Sequence, residues 1–332
     1  MPRVSIVIPA YNRERLIGAT LDSVMAQTFQ DFEVVVVDDG STDGTAELVR
    51  AYGARVRYLY QPNQGPGAAR NTGLRAARGE LVAFLDSDDL WEPNKLALQL
   101  AALADRPDCP WIYTDAFVFD GATGRRQFLF SRQCRPHEGM VADRLLRMNF
   151  IASPTPVIRR EVFDRVGMFN ELTPQVGEDW DMWLRIAARY PIAYVPEALA
   201  GYRLHQATIT GSHTPLAIYA KALGTIEHVA ALEPEIYGSI RHRGIASISI
   251  IAGRMLVSQG DIVTARRLFA RASCLDPSQP LPYLLWAICL AGEPAMRATV
   301  ALHRWWRYRM SLAKMQRVEV PDQLTEPEVD CR

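Results

Sequence analysis

Within the first 120 residues, short β-branched runs alternate with amphipathic helical patterns, an order met by a parallel sheet with crossover helices. Val4–Ile8, Glu33–Val37, Val56–Tyr60 and Leu81–Leu85 read as buried strands, because their continuous apolar runs leave no face for water. Between and after them, residues 14–27, 45–52, 67–78 and 93–104 carry helical periodicity. In such sheets a ligand sits beyond the carboxyl ends of the strands. Those ends carry Pro9-Ala10-Tyr11-Asn12, Asp38-Asp39-Gly40-Ser41 and Asp86-Ser87-Asp88-Asp89, so polar and acidic residues collect on one rim.

The pattern loosens from Trp111 to about Arg203. A strand over Trp111–Val118 leads into a Gly/Arg-rich loop through Arg135, then helical stretches near 138–148 and 179–190 and short apolar runs at Ile192–Val195 and Leu199–Arg203. After Pro215 the chain reads as helical to about Arg317. Gly253, Ala265, Phe269, Ala272 and Pro277 match one tetratricopeptide-like hairpin over 246–279, with no second copy. The expected organisation is a domain over 1–213, made of a first half over 1–110 and a second half over 111–213, a helical region over 214–317 and an acidic tail over 318–332. The hairpin either packs on the first domain or binds a protein partner.

Composition narrows the classes. The 37 basic and 37 acidic side chains cancel, which argues against a generally basic nucleic-acid binder. Five cysteines without CxxC spacing argue against a disulfide framework or a zinc knuckle. The amino terminus lacks signal-peptide shape, and the longest apolar stretch, Leu281–Ala291, is shorter than the roughly 20 residues that span a bilayer. A cytoplasmic location is expected. Residues 297–317 hold six Arg or Lys and no acid, interleaved with Trp305, Trp306, Tyr308 and Met310. They read either as a packed terminal helix or as a peripheral contact with the inner face of the plasma membrane.

Each acidic motif has a plain reading beside a chemical one. Several carboxylates at a strand end repel unless neutralised, and a hard Mg²⁺ or Mn²⁺ ion bridging to phosphates neutralises them; a helix cap is the alternative at Asp88 or Asp89. Asp38-Asp39 either accepts hydrogen bonds from a base or ribose, or belongs to a turn. Gly65-Pro66-Gly67-Ala68-Ala69-Arg70 follows the third strand and has Arg70 where a dinucleotide fingerprint needs Gly or Ala, so that reading fails. It starts a helix, with Arg70 either available to an anionic phosphate or a plain surface side chain. Glu178-Asp179-Trp180-Asp181 opens an amphipathic helix, where the dipole alone favours acids. His205 closes Tyr202-Arg203-Leu204-His205 as a ligand or a structural residue.

The order of these motifs, Ser5–Asn12, Val37–Asp43, Asn63–Gly65, Ala69–Gly73, Phe84–Asp89 and Glu178-Asp179, closely resembles glycosyltransferase family 2 over about residues 3–205. The resemblance implies a GT-A-type α/β fold: a mostly parallel sheet flanked by helices, a Rossmann-like nucleotide-binding half plus an acceptor half, here with an α-helical extension. It implies an inverting transfer from a nucleoside-diphosphate sugar, UDP- or dTDP-linked, to a saccharide or lipid-linked hydroxyl acceptor in bacterial polysaccharide, lipopolysaccharide or glycolipid synthesis. Carried over by residue, Asp39 accepts the base N–H, Tyr11 lies against the ring, and Pro9 and Ala10 line that pocket. Arg70 lies near the diphosphate or sugar, Asp86 with Ser87 holds donor hydroxyls, and Asp88 binds Mn²⁺ or Mg²⁺, completed by His205. Asp179 is the general base, with Glu178 and Trp180 beside it on the acceptor side. A nucleotidyltransferase would carry a Gly-rich basic loop after the first strand, where this chain has Pro9–Asn12. A non-catalytic scaffold on a transferase fold is the other alternative.

Overall fold

The computed structural model describes residues 1–171, 177–204 and 214–290. Strand β1 (Val4–Ala10), helix α1 (Ile17–Met25), β2 (Phe32–Asp39), α2 (Thr45–Arg50), β3 (Arg57–Gln61), α3 (Pro66–Ala76), β4 (Leu81–Phe84), β5 (Leu90–Trp91) and α4 (Lys95–Ala104) form the first half. The second half holds β6 (Trp111–Asp120), β7 (Arg126–Leu129), α5 (Ala142–Arg147), β8 (Val157–Arg159), α6 (Glu161–Val166), α7 (Glu178–Ala187) and β9 (Ile192–Leu204). Helices α8 (Pro215–Leu232), α9 (Arg241–Gln259), α10 (Ile262–Leu275) and α11 (Pro280–Leu290) follow.

The strands form one sheet in the order β3-β2-β1-β4-β8-β6-β9-β5, with β7 paired to β6. The β3-β2-β1-β4 portion is parallel, as the alternation requires. Strand β8 then runs antiparallel to both β4 and β6, while β6 and β9 are parallel, so the second half makes the sheet mixed. The chain winds outward from β1 in both directions, and the crevice beyond Ala10 is the switch point where such sheets bind ligands.

All seven β1 residues are buried, and their side chains alternate between two cores. Ile6 and Ile8 join Leu21, Val36 and Leu96 on one face. Val7 joins Phe84, Trp111 and Trp183 on the other, and that core continues through Tyr237, Ile245 and Phe269 into the C-terminal helices. The extension therefore shares its core with the second half. Helix α3 lies close to the sheet because Gly73 faces Val7, where a Cβ would come within 2.3 Å of Val7 Cγ1.

The tetratricopeptide-like reading corresponds to the α9–α10 hairpin. Gly253 admits Phe269, whose Cε1 lies 2.5 Å from where a Cβ would stand, and Ala265 and Ala272 are buried with it. On α11, Leu281, Tyr283, Leu284, Trp286 and Leu290 are exposed. Among the described residues no helix is long and apolar enough to cross a membrane. The basic stretch 297–317, the tail 318–332 and His205 lie outside the described residues.

Candidate active site

The three acidic or polar rims expected at the strand ends meet in one cavity of about 470 Å³. Pro9, Ala10 and Tyr11 enter it from β1, Asp39 from β2, Arg70 from α3, Asp86, Ser87 and Asp88 from the β4–β5 loop, and Glu178 and Asp179 from α7. Asn12 shapes the first rim: its backbone is left-handed, with φ 52°, its N–H donates to Ser41 Oγ at 3.0 Å, and its Oδ1 accepts from Thr42 N at 2.8 Å. The β1 and β2 loops are thereby fastened together, with Tyr11 45% exposed at the mouth.

Asp39 is buried and holds the chain leading into α3. Its Oδ1 accepts from Gln61 Nε2 at 2.7 Å and Gln64 N at 2.9 Å, and its Oδ2 accepts from Gly65 N at 2.8 Å. An ionised carboxylate offers about four acceptor positions, so three donors leave one for a ligand N–H. Asp38 turns away from the cavity and binds Ser41 N and the Tyr58 hydroxyl, whose pKa is pushed up to about 12 by burial and by that bond.

Arg70 is the central cation. It is 4% exposed and donates through Nη1 to Glu178 Oε1 and through Nη2 to Asp86 Oδ1, both at 2.6 Å. The sequence alone left it available to a phosphate; the structure shows it already shared by two carboxylates. Glu178 Oε2 is buried without a hydrogen-bond partner among the described residues. Beside them, the Asp179 carboxyl is pushed up to about 7, first by burial and then by the Glu178 charge, against the opposing pull of Arg70 and the Trp180 N–H. A carboxylate titrating near neutrality is suited to take a hydroxyl proton.

Trp180 is not in the cavity wall. It is 7% exposed, and its indole N–H donates to Leu145 O at 2.8 Å, so it anchors α7 to α5. The structure adds Arg13 and Ser153, which no local motif marks, and gives Asp89, Arg203 and Asn63 of the quoted motifs their places at the cavity. Arg13 lines the cavity and pairs with Asp88, Nε to Oδ2 at 3.4 Å. Asp89 Oδ1 accepts from Arg203 N at 2.9 Å, and Arg203 Nε donates to Asp88 O at 2.5 Å, which ties the end of β9 to the acidic loop. Ser153, opposite Arg70, and Asn63 complete the added lining.

The donor set for a cation consists of hard oxygens. No three His, Cys, Asp or Glu side chains converge as a ligand cluster among the described residues. A Mg²⁺ or Mn²⁺ ion that keeps waters and shares substrate phosphates needs only one or two carboxylates. Asp88, on the cavity wall, fits that requirement.

A sequence model of the family described as glycosyl transferase family 2 matches residues 5–167. TuaG of Bacillus subtilis, a glycosyltransferase named for teichuronic acid biosynthesis, is 34% identical over 217 residues, covering 64% of this chain and 82% of that protein. The chain belongs to glycosyltransferase family 2. Two uncharacterized glycosyltransferases, of Rickettsia bellii and Rickettsia felis, are 32% identical over 213 and 215 residues, or 61% and 63% of this chain. The chain spans 29% and 34% of their length.

Solved structures of similar fold include S. aureus TarS 1–349 in complex with UDP-GlcNAc, with a TM-score of 0.58 at 23% identity over 91% of this chain and 92% of that one. A mannosyltransferase from Pyrobaculum calidifontis, in complex with GDP-Man and Mn²⁺, gives 0.56 at 20% identity over 92% and 87%. At those identities the likeness concerns the fold, and it extends beyond the family 2 match into the C-terminal helices.

Proposed function

We propose that this family 2 chain is an inverting glycosyltransferase that moves a sugar from a nucleoside diphosphate, UDP or dTDP, to a hydroxyl of a saccharide or lipid-linked acceptor. The observation that carries the reading is the single cavity in which the Tyr11–Asp39 end, the Asp86–Asp88 loop and the near-neutral Asp179 carboxyl meet. The base stacks by Tyr11 and donates its N–H to Asp39, while Asp86 and Ser87 face the ribose or sugar hydroxyls. Asp179 takes the acceptor hydroxyl proton as that oxygen forms a bond to the anomeric carbon. The bond from that carbon to the diphosphate oxygen breaks on the opposite side, which inverts the centre. General-base assistance of this kind contributes about 10²–10⁴-fold.

Arg70 orients Glu178 and Asp86 and keeps the Asp179 carboxyl from rising further. Asp88 would hold a divalent cation, which supplies charge neutralisation for the departing diphosphate. Arg13 is the protein cation beside it. TuaG's name supports a place in cell-surface polysaccharide synthesis. The 1–213 domain, with the helical region as an extension of its core, is the unit proposed to act.

The test is a thermal-shift panel of UDP-glucose, UDP-galactose, UDP-GlcNAc, dTDP-rhamnose and GDP-mannose, with and without Mn²⁺, followed by turnover of the strongest binder. A native-state ligand at 100 times its Kd adds about 2.7 kcal/mol of apparent stability. A donor that raises the melting temperature with Mn²⁺, and whose transfer stops in Asp179→Asn, supports the reading. Wild-type turnover in Asp179→Asn removes Asp179 as the base.

A further inference from the structure

Helix α7 carries Glu178 and Asp179 in its first turn, and its entrance is held from outside the transferase half. Gly177, immediately before α7, is left-handed with φ 102°, and a Cβ there would come within 2.8 Å of Thr225 Oγ1 on α8. Thr225 is buried and donates to Lys221 O at 3.1 Å. One turn into α7, Asp181 N donates to Gly177 O at 2.8 Å. The Asp181 carboxylate is fully buried: Oδ2 accepts from Arg185 Nε at 2.9 Å, and Oδ1 lies 2.6 Å from His228 Nδ1 on α8. That distance requires the His228 proton on Nδ1, because two acceptors would repel. Arg185 passes the connection on to Val166 O and Met168 O, and Tyr237 OH donates to Leu184 O at 2.6 Å further along α7.

We propose that α8 is a positioning element of the active site, in which Thr225 and His228 set the pose of the α7 turn that carries Glu178 and Asp179. The inference rests on Asp179 as the base and extends it: the C-terminal helices are part of the catalytic apparatus and not an appendage. Thr225 limits how far the Gly177 turn can move toward α8, and His228 fixes the rotation of α7 through Asp181. A reacting group displaced by about 1 Å loses about 10²-fold in rate, so a loose α7 would lower turnover without touching the nucleotide pocket.

The test uses the full chain with His228→Ala and His228→Asn, whose amide nitrogen takes the place of Nδ1. Three quantities are read: UDP affinity by calorimetry, turnover of the panel donor with the highest rate, and hydrogen exchange of the 178–182 amides. The expected result in His228→Ala is at least tenfold lower kcat, UDP affinity within twofold of wild type and faster exchange in that turn, with His228→Asn restoring kcat to within threefold. Unchanged kcat and exchange in His228→Ala overturn the proposal. So does a loss of kcat and UDP affinity together with a collapsed melting temperature that His228→Asn does not rescue. Wild-type turnover in Asp179→Asn would instead sink the base assignment, while the exchange of residues 178–182 still decides whether α8 holds the turn.

Discussion

Arg70 Nη1 and Glu178 Oε1 lie 2.6 Å apart across 108 positions of sequence. This pair joins the first half of the sheet domain to the helix that carries the proposed base, and both partners are buried. Breaking such a pair by removing one partner strands the other charge.

Arg70→Met is therefore expected to cost about 3–5 kcal/mol of folding stability in urea titrations, because Glu178 and Asp86 lose their shared cation. Arg70→Lys keeps the charge, but a single ammonium on a flexible stem does not reproduce the fork that serves both carboxylates. Its stability should lie between the other two, with turnover near that of Arg70→Met. Equal stability of wild type and Arg70→Met would show that the pair contributes nothing.

Asp179 gives a stability effect with a definite sign. Its folded pKa is raised to about 7 from the ordinary 3.8, so between those values the folded protein binds the extra proton. Stability from this group is fully present below about 4 and falls as pH rises through about 7. Asp179→Asn, neutral at every pH, should melt at the wild-type temperature near pH 4 and several degrees higher at pH 8, while losing transfer. Turnover of the wild type should rise through about pH 7 as the carboxyl ionises. Identical melting shifts at both pH values would contradict the buried-acid picture.

Asp39→Ala releases three donors at once, including the backbone N–H groups of Gln64 and Gly65. Of these the Gln61 amide is buried, and an unmet buried donor costs about 1–3 kcal/mol. The variant should lose stability and bind UDP at least tenfold more weakly by calorimetry, since the loop that precedes α3 is held from this one carboxylate. UDP affinity equal to wild type would place the nucleotide elsewhere.

Trp180→Phe separates a core role from an acceptor role. It removes the N–H that meets Leu145 O and should cost about 1–3 kcal/mol, with acceptor KM unchanged. A raised acceptor KM at full stability would return Trp180 to the substrate side.

The parallel half was legible because β1, β2 and β4 are continuous apolar runs separated by helices of regular period. Their carboxyl ends carry the residues that line the cavity. The second half was harder to read for physical reasons. Strand β8 has only three residues, too few to show a period, and β9 reads as two runs because Pro196 and Glu197 interrupt its apolar pattern. The loop expected through Arg135 contains β7, whose residues are exposed or half-buried. At the site, Pro9, Ala10, Tyr11, Asp39, Arg70, Asp86, Ser87, Asp88, Glu178 and Asp179 share the cavity, whereas Arg13 and Ser153 enter it through long-range contacts that leave no local motif. Trp180 is buried against Leu145 although it follows Asp179 directly, because neighbours on a helix point about 100° apart.

The closeness of Gly73 to Val7 acts as a spacer gauge for the whole centre. Arg70 lies three residues earlier on the same helix, and α3 moves as a rigid rod. The missing methyl group at position 73 therefore sets how deep the guanidinium reaches between Asp86 and Glu178. A side chain there would lift the rod from the sheet and draw the cation out of its seat. The separation of the two halves is in this sense calibrated by a hydrogen atom, some distance from any group that touches substrate.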